Sequence, residues 1–288
     1  MGGRLSRVAL RVAAAATLIF LYVPIFIIAV YAFNDSKNQS WTGLLDRIGL
    51  NGFLQTFSLR WFDAAWNNDQ VRESLWLSVQ AALGAMVLAL ILGSAAAFAV
   101  HRHRFFGREG ISFVLVLPIA LPGIVTGMAL NAAMNAGIRG FDIGPLHITT
   151  PEFGIATIIV GHATFCVVVV YNNVVARLRR LGRSLEEASM DLGADTWQTF
   201  RRITLPALAT ALLAGGLLAF ALSFDEIIVT TFTAGTEQTL PIWIFTNFKL
   251  PNQRPTVNVV ALAMILFSLI PVGISALLAG KDSVASAR

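Results

Sequence analysis

The hydrophobic residues of the chain gather into six long blocks that polar connections separate. The blocks cover roughly residues 8–33, 75–100, 111–134, 154–176, 206–233 and 257–279. Each block can form a helix of the about 20 residues needed to cross about 30 Å of bilayer hydrocarbon. The pattern therefore predicts an all-α integral membrane protein with about six transmembrane helices, arranged as one domain over residues 1–288.

The composition is typical of a protein that lies mainly within a lipid bilayer. Of the 288 residues, 56% are hydrophobic and 13% are charged, whereas an average soluble protein has about 25% charged residues. The net charge of +5 comes from arginines between the apolar blocks, which membrane topology explains without nucleic acid as a partner. The single cysteine, Cys166, lies inside an apolar block, so a disulfide within the chain and a Cys-rich metal site are excluded.

Basic residues concentrate in alternate connections and predict the orientation of the chain. Because cytoplasmic connections are rich in Lys and Arg, we expect both termini and the 177–206 connection in the cytoplasm. Fourteen of the 21 basic residues would lie on this side: Arg4, Arg7, Arg11, Arg102, Arg104, Arg108, Arg177, Arg179, Arg180, Arg183, Arg201, Arg202, Lys281 and Arg288.

Two prolines lie inside the third apolar block. Pro118 and Pro122 each remove a backbone donor and bend a helix. Two interpretations are open: a kinked helix that lines a pathway, with Pro122 part of it, or an ordinary proline kink in a packed bundle.

The connection 177–206 is polar and much longer than a simple link between two spans needs. Ser184 followed by Glu187 predicts a capping box, with a short helix from near Leu185 to Leu192 and Gly193 in the left-handed position after it. Asp195 with Gln198 predicts the start of a second short helix in the same way. Its apolar stripe and its expected end are formed by Trp197, Phe200, Ile203 and Pro206.

These residues resemble the EAA loop of bacterial ABC importer permeases. The likeness consists of Glu187, Ala188 and Ser189, then Gly193, and finally Ile203, Leu205 and Pro206. In that family the helix pair docks into a groove of an ATPase subunit, so the resemblance implies an ATPase-coupling role for these residues. Ser189 stands where the family often has alanine, which is a small residue in place of another.

The sequence does not contain the phosphate-binding pattern of nucleotide-hydrolysing loops. The nearest segment, Gly280-Lys281-Asp282, lacks the leading glycine and the hydroxyl residue. We therefore expect no catalytic residue and no cofactor in this chain, which would not be an enzyme. ATP and Mg would be bound by separate ATPase subunits.

From about Arg72 to Ala279 the chain is similar to the second permease subunit of spermidine/putrescine importers. The segments 162–166, 192–194 and 223–232 carry this wider resemblance. It implies a type I importer fold in a bacterial inner membrane, with a second permease subunit, two ATPase subunits and an extracytoplasmic solute-binding protein. Some family members have an acidic residue after the proline of the third span, where this chain has Gly123.

Asp225 and Glu226 are the candidate acidic residues of a substrate pathway. On a continuous fifth helix that starts at Pro206 they would lie about 28–30 Å along the axis, near the outer boundary. Adjacent residues point about 100° apart on a helix, so we expect one carboxylate, with Asp225 favoured, to face a cationic substrate. Ordinary placement at the membrane surface, or a bond to a neighbouring helix, is the alternative.

His162 lies within the fourth apolar block and has two interpretations. It could relay protons or bind a ligand, or it could be a structural histidine bonded to a neighbouring helix, which we favour. Neither a second histidine nor a carboxylate stands near it at metal-ligand spacing, so a metal site is not expected.

Other functions remain compatible with part of the pattern. An importer permease for a different small solute would have the same spans and the same loop. A self-sufficient secondary transporter would leave the 177–206 connection unexplained. A membrane scaffold without transport would leave the intramembrane acids unexplained.

Overall fold

The protein is described by a computed structural model, which covers residues 2–35, 57–103, 105–138, 141–143, 146–148 and 152–285. In chain order the helices are α1 Gly2–Ala32, α2 Arg60–Trp66, α3 Asp69–Arg102, α4 Arg108–Ala120, α5 Gly123–Ile138, α6 Ile155–Arg180, α7 Ser184–Asp191, α8 Thr196–Thr199, α9 Leu205–Phe224, α10 Ile228–Thr233, α11 Leu240–Asn247 and α12 Arg254–Ala285. A π-helical turn, Phe200–Thr204, joins α8 to α9. An antiparallel hairpin of β1 Phe141–Ile143 and β2 Leu146–Ile148 follows α5, with Phe141 opposite Ile148.

The predicted membrane spans are present in the described residues. Five helical stretches are long and apolar enough to cross a membrane, namely α1, α3, α6, the stretch Thr196–Phe224 and α12. A sixth is present if the bent pair formed by α4 and α5 is counted as one span. The nearly all-helical membrane class is therefore confirmed, and the short hairpin is an addition to it. Arg104 and Arg288, two residues of the topology argument, lie outside the described residues.

The third predicted span is broken rather than kinked. α4 ends at Ala120, Leu121 adopts an extended conformation, and α5 starts at Gly123 with its axis bent by 107° from that of α4. The physical reason is the proline at position 122, which disfavours the helical conformation of the residue before it. The expectation of a single, kinked helix over 111–134 is therefore wrong. Pro118 is accommodated inside α4.

The fifth predicted span is also broken, close to its acidic pair. α9 ends at Phe224, residues 225–227 are not helical, and α10 begins at Ile228. Glu226 has turned its side chain to the backbone of the new helix, since its Oε1 accepts the Val229 N–H at 2.9 Å. A side-chain acceptor of this kind competes with the backbone carbonyl groups for the N–H groups of a helix. The continuous helix over 206–233 was therefore a wrong prediction.

Contacts divide the chain into two compact units. In the unit made of residues 74–242 and 267–288, α6 is central and packs against α4, α9 and α10. A Cβ atom at Gly93 of α3 would lie 2.8 Å from the Val167 carbonyl oxygen, and one at Gly215 of α9 would lie 3.4 Å from the Cα atom of Val170. A side chain at Gly93 would therefore require the α6 backbone to shift, whereas one at Gly215 would be in tight contact with α6.

The other unit consists of residues 1–73 and 243–266. In it Phe33 stacks on Phe57 and contacts Phe62, with ring centroids 5.4 and 4.9 Å apart. The indole N–H of buried Trp61 donates to the Asn34 carbonyl at 3.0 Å. These contacts hold α2 to the end of α1. The single-domain organisation stays a prediction.

Candidate functional site

α7 carries the three residues that open the EAA-like pattern. Glu187 and Ala188 are exposed, whereas Ser189 is half-buried. The Ser189 Oγ lies 3.1 Å from the Thr199 Oγ1 of α8, so one hydroxyl donates to the other. The serine at this position therefore ties the two helices of the loop together.

Gly193 joins these two helices in the left-handed conformation that was predicted for it. Its φ is +88°. The Gly193 N–H donates to the Met190 carbonyl at 2.9 Å, and the Ala194 N–H donates to the Ser189 carbonyl at 3.1 Å. Glycine reaches such a φ without the strain that a Cβ atom would cause. The helix-Gly-helix geometry is present as expected.

The start of α7 differs from the prediction by one residue. Arg183 is the N-cap, and its carbonyl accepts the Glu187 N–H at 2.9 Å. Because Arg183 already has helical dihedral angles, Ser184 lies inside the first turn. The predicted capping box of Ser184 and Glu187 is therefore wrong.

The second helix starts as predicted but does not end at Pro206. Asp195 Oδ1 accepts the Gln198 N–H at 2.7 Å. The chain then passes through the π-helical turn, in which the Leu205 N–H donates to the Phe200 carbonyl. The wider π turn relieves the clash of the Pro206 ring with the preceding turn, so the helix continues into α9. Ile203 in this turn is half-buried, and Pro206 is exposed.

The loop between α6 and α9 exposes a set of large apolar side chains. The exposed fractions are 60% for Leu185, 47% for Met190, 90% for Leu192 and 66% for Trp197. Exposed apolar side chains are ordinary where lipid covers a span, but these lie on the polar connection outside the predicted spans. Such a surface is typical of a protein–protein contact.

An ion pair between the loop and α3 was not anticipated from the sequence. Arg102 Nη2 at the end of α3 lies 2.5 Å from Glu186 Oε1 of α7, and the same oxygen accepts a hydrogen bond from Thr204 Oγ1 at 3.0 Å. The EAA-like pattern drew attention to Glu187, which is exposed, rather than to its neighbour. Arg102 and Glu186 are 84 residues apart, and no spacing rule connects them.

The breaks of the third and fifth predicted spans lie next to each other. A Cβ atom at Gly123 would lie 3.6 Å from the Ile228 side chain, and one at Gly127 would lie 2.5 Å from the Phe232 ring. Asn131 Nδ2 donates to the Phe232 carbonyl at 2.7 Å. α10 therefore lies along α5, which brings Pro122 and the acidic pair into one region.

The two acidic residues have different surroundings in this region. Asp225 follows the last residue of α9 and is exposed, whereas Glu226 is half-buried and caps α10 through Val229. The expected difference of about 100° along one helix does not apply, because neither residue is in a helix. Within the break, the Asp225 carboxylate is exposed, whereas the Glu226 carboxylate is bonded to the backbone.

His162 of α6 is buried and bonded to both sides of the break. Its Nδ1 lies 2.7 Å from Ser223 Oγ, and its Nε2 lies 2.8 Å from Thr230 Oγ1. The Thr230 hydroxyl donates its proton to the Glu226 carbonyl at 2.7 Å. Nε2 must therefore donate to Thr230, and Nδ1 accepts from Ser223. This geometry is that of the bonded structural histidine that the sequence favoured.

The candidate residues thus form two groups at opposite ends of α9. The 20 residues of this helix span about 30 Å. Within the described part of the chain, no cluster of three or more His, Cys, Asp and Glu residues could hold a metal ion. The roles predicted for both groups of residues stay predictions.

This arrangement, an apolar helical bundle with an exposed helix-Gly-helix loop, is the one that the sequence predicted for an importer permease. Residues 85–281 match the family described as "Binding-protein-dependent transport system inner membrane component", and the chain belongs to this family. The putrescine transport system permease protein PotI of Escherichia coli (strain K12) is 34% identical over 245 residues, which cover 84% of this chain and 80% of PotI.

Two further relatives show the breadth of the similarity. The spermidine/putrescine transport system permease protein PotC of Haemophilus influenzae is 32% identical over 267 residues, covering 92% of this chain and 93% of PotC. The sulfate transport system permease protein CysW of Synechococcus elongatus is 28% identical over 243 residues, covering 80% of this chain and 74% of CysW. The chain is accordingly a multi-pass inner-membrane permease subunit of an ABC importer.

Solved structures support the fold. A bacterial ABC transporter involved in the import of the acidic polysaccharide alginate matches with a TM-score of 0.63 at 17% identity, covering 96% of both chains. The alginate transporter in complex with an alginate pentasaccharide-bound periplasmic protein matches with a TM-score of 0.60 at 14% identity, covering 95% of this chain and 92% of the other. The predicted importer-permease fold is confirmed.

Proposed function

We propose that this permease subunit carries a polyamine, putrescine or spermidine, or a related small organic amine across the membrane. The observation that carries the proposal is the similarity to PotI and PotC, whose names specify these solutes, over 84% and 92% of this chain. The carboxylate of Asp225, which is exposed in the break of the fifth predicted span, supports it, because a negative charge attracts a cation.

The proposed pathway passes the region where the two broken spans meet. At a break the backbone groups of the helix ends are no longer all paired within a helix, and irregular backbone inside a membrane occurs where it lines a cavity. Pro122 causes one break and the acidic pair lies in the other. His162 acts in this proposal by holding the second break in place rather than by contacting the solute.

The proposed assembly contains a second permease subunit, two ABC ATPase subunits and an extracytoplasmic solute-binding protein. The exposed apolar residues of the loop, together with Glu187 and Ala188, form the surface for an ATPase subunit. ATP and Mg are bound by the ATPase subunits, and this chain transmits movement without catalysis. The presence of a binding protein is supported by the alginate transporter of similar fold, which was solved in complex with a periplasmic protein.

Both termini and the loop between α6 and α9 face the cytoplasm in this proposal. The positively charged residues Arg177, Arg179, Arg180, Arg183, Arg201 and Arg202 in and beside the loop support this orientation. The loop then meets ATPase subunits on the side where ATP is available.

Uptake by the assembled transporter tests the solute. Proteoliposomes that contain the chain with its partner subunits, and ATP inside, should take up radiolabelled putrescine or spermidine when the binding protein is added outside. The matched control is radiolabelled sulfate, the solute named for the relative CysW. Uptake of sulfate without uptake of either amine would refute the amine proposal and would favour the alternative of an importer for another small solute.

A further inference from the structure

The cytoplasmic end of α3 is joined to the loop by a mostly buried ion pair. The Arg102 and Glu186 side chains are 13% and 20% exposed, and their Nη2 and Oε1 atoms are 2.5 Å apart. Removing one member of a buried pair leaves a charge without compensation, which is strongly unfavourable. The two side chains are therefore held in one arrangement.

Two further bonds extend this contact to a cluster. Thr204, which is 5% exposed, donates its hydroxyl to Glu186 Oε1 at 3.0 Å. Arg183 Nη2 donates to the Arg102 carbonyl at 2.9 Å. Because Thr204 lies at the base of α9, the cluster connects α7 with both α3 and α9.

The position of α7 requires such a connection. The helix has eight residues, and a helix of this length gains little orientation from its own hydrogen bonds. Its C-terminal end turns into the left-handed joint at Gly193. Glu186, in the first turn, holds the other end to the two spans.

Comparison with an exposed ion pair shows how the cluster differs from ordinary surface charge. Arg72 and Asp69 also form an ion pair, but their side chains are 54% and 77% exposed, so this pair is worth little. Glu187, which follows Glu186, is exposed. Two adjacent glutamates thus have separate surroundings, one toward the spans and one toward solvent.

We propose that the Arg102–Glu186–Thr204 cluster is the linkage that transmits movement of α7 to α3 and α9 together. The inference rests on the proposed function in one respect, which is that α7 contacts an ATPase subunit. Glu186 and Arg102 are then positioning residues, and their charge pair sets how far ATPase movement reaches the second span.

The test measures movement of α3 directly. A fluorophore on Ile91→Cys, a position in α3 that is 61% exposed, should report a change when ATP and vanadate are added to the full complex. The natural Cys166 is buried, and the partner subunits would carry no cysteine. Co-purification of the ATPase with the unaltered chain is checked first.

A charge swap distinguishes the linkage from general damage. Arg102→Glu and Glu186→Arg should each reduce the fluorescence change by about fivefold or more, the lower end of usual coupling between sites. The double variant should recover to within about twofold of the original response, as coupled residues do in a mutant cycle. Arg72→Asp, in the exposed pair, is the matched control and should leave the response unchanged.

Glu186→Gln is a milder variant that tests the linkage if the charge-reversal variants do not fold. Its side-chain oxygen can still accept from both Thr204 and Arg102, which limits the loss from removing the charge, so assembly should be retained while ATP hydrolysed per solute transported rises. A purely structural role would lower hydrolysis and transport in proportion. Unchanged responses in all single variants, or a double variant no better than the single ones, would overturn the linkage. A linkage-dependent response without amine uptake would instead refute only the proposed solute.

Discussion

The segments beside the two ends of α9 are held in place by different chemistry. At the loop end, an ion pair with limited exposure and a left-handed glycine fix the short helix α7. At the other end, neutral groups hold the break, since His162, Ser223 and Thr230 are joined across it by hydrogen bonds. The charged residues at this end are Asp225, which is exposed, and Glu226, which caps α10.

The difference fits the two roles that we propose for the ends of α9. A loop that transmits force requires contacts that resist displacement, and paired charges with limited solvent supply them. A region beside a cationic solute requires a carboxylate that is not already neutralised by a cation of the protein. The same helix α9 thus joins a strongly tied end to an end that keeps one acidic side chain accessible.

The largest effect is expected at Gly193. A Cβ atom there would meet no atom within 4 Å, so Gly193→Val tests backbone conformation without crowding. The left-handed φ costs an ordinary residue about 1–2 kcal/mol, and a change of about 1.4 kcal/mol corresponds to tenfold. Uptake should fall about tenfold while membrane insertion is retained.

Gly193→Asn is the matched control, because asparagine tolerates the left-handed region. It should retain most of the uptake.

Ala188→Asp, which adds a charge to the exposed face of α7, should reduce co-purification of the ATPase. Normal uptake and normal ATPase association in both Gly193→Val and Ala188→Asp would contradict the coupling role of the loop.

A smaller effect is expected from neutralising Asp225. Asp225→Asn keeps the shape but removes the negative charge, so amine uptake should fall several-fold. Glu226→Gln should have a mild effect, since the amide oxygen can still accept the Val229 N–H. Uptake is measured alongside solute binding by the isolated binding protein, which should be unchanged. Two variants with the original uptake rate would show that both carboxylates are structural.

Crowding between α5 and α10 should have a moderate effect on stability. In Gly127→Ala the new Cβ atom would lie 2.5 Å from the Phe232 ring, and overpacking of this kind costs about 1–3 kcal/mol. The thermal midpoint of the purified complex should fall. Gly123→Ala is the control, since its Cβ atom would be in ordinary contact with Ile228 at 3.6 Å. Equal midpoints for both variants would contradict the close packing of the two breaks.

The smallest effect on transport is expected from single cysteines that report orientation. Leu59→Cys, at an exposed position before α2 that faces outward in the proposed topology, should react with an impermeant thiol reagent in intact cells. Gln198→Cys, on the exposed face of α8, should react only after permeabilisation. The reverse labelling pattern would overturn the proposed topology. Both variants should transport normally.

Local sequence rules predicted the parts of the protein that depend on neighbouring residues. The apolar blocks predicted the spans because a helix must satisfy its own backbone groups in lipid. Gly193 predicted the left-handed joint, and Asp195 predicted the cap on Gln198. The same rules failed by one residue at Ser184, where the preceding turn had already become helical.

Breaks in the spans were harder to predict because they depend on a balance between local strain and tertiary contacts. Pro122 indicated a bend, but its magnitude of 107° could not be read from one proline. The fifth span has no proline near its break. There the alternative acceptor of Glu226 and the bonds of His162 from another helix stabilise the interruption.

By itself, the sequence determined the membrane class, the approximate spans and the helix-Gly-helix loop, because hydrophobic length, capping and glycine conformation are local properties. Tertiary structure alone decided that α5 and α10 bring the two breaks together and that Glu186 pairs with Arg102. It also decided that Asp225 is exposed while Glu226 caps a helix. These outcomes depend on groups far apart in the chain, whose distances are set by packing rather than by any spacing along the sequence.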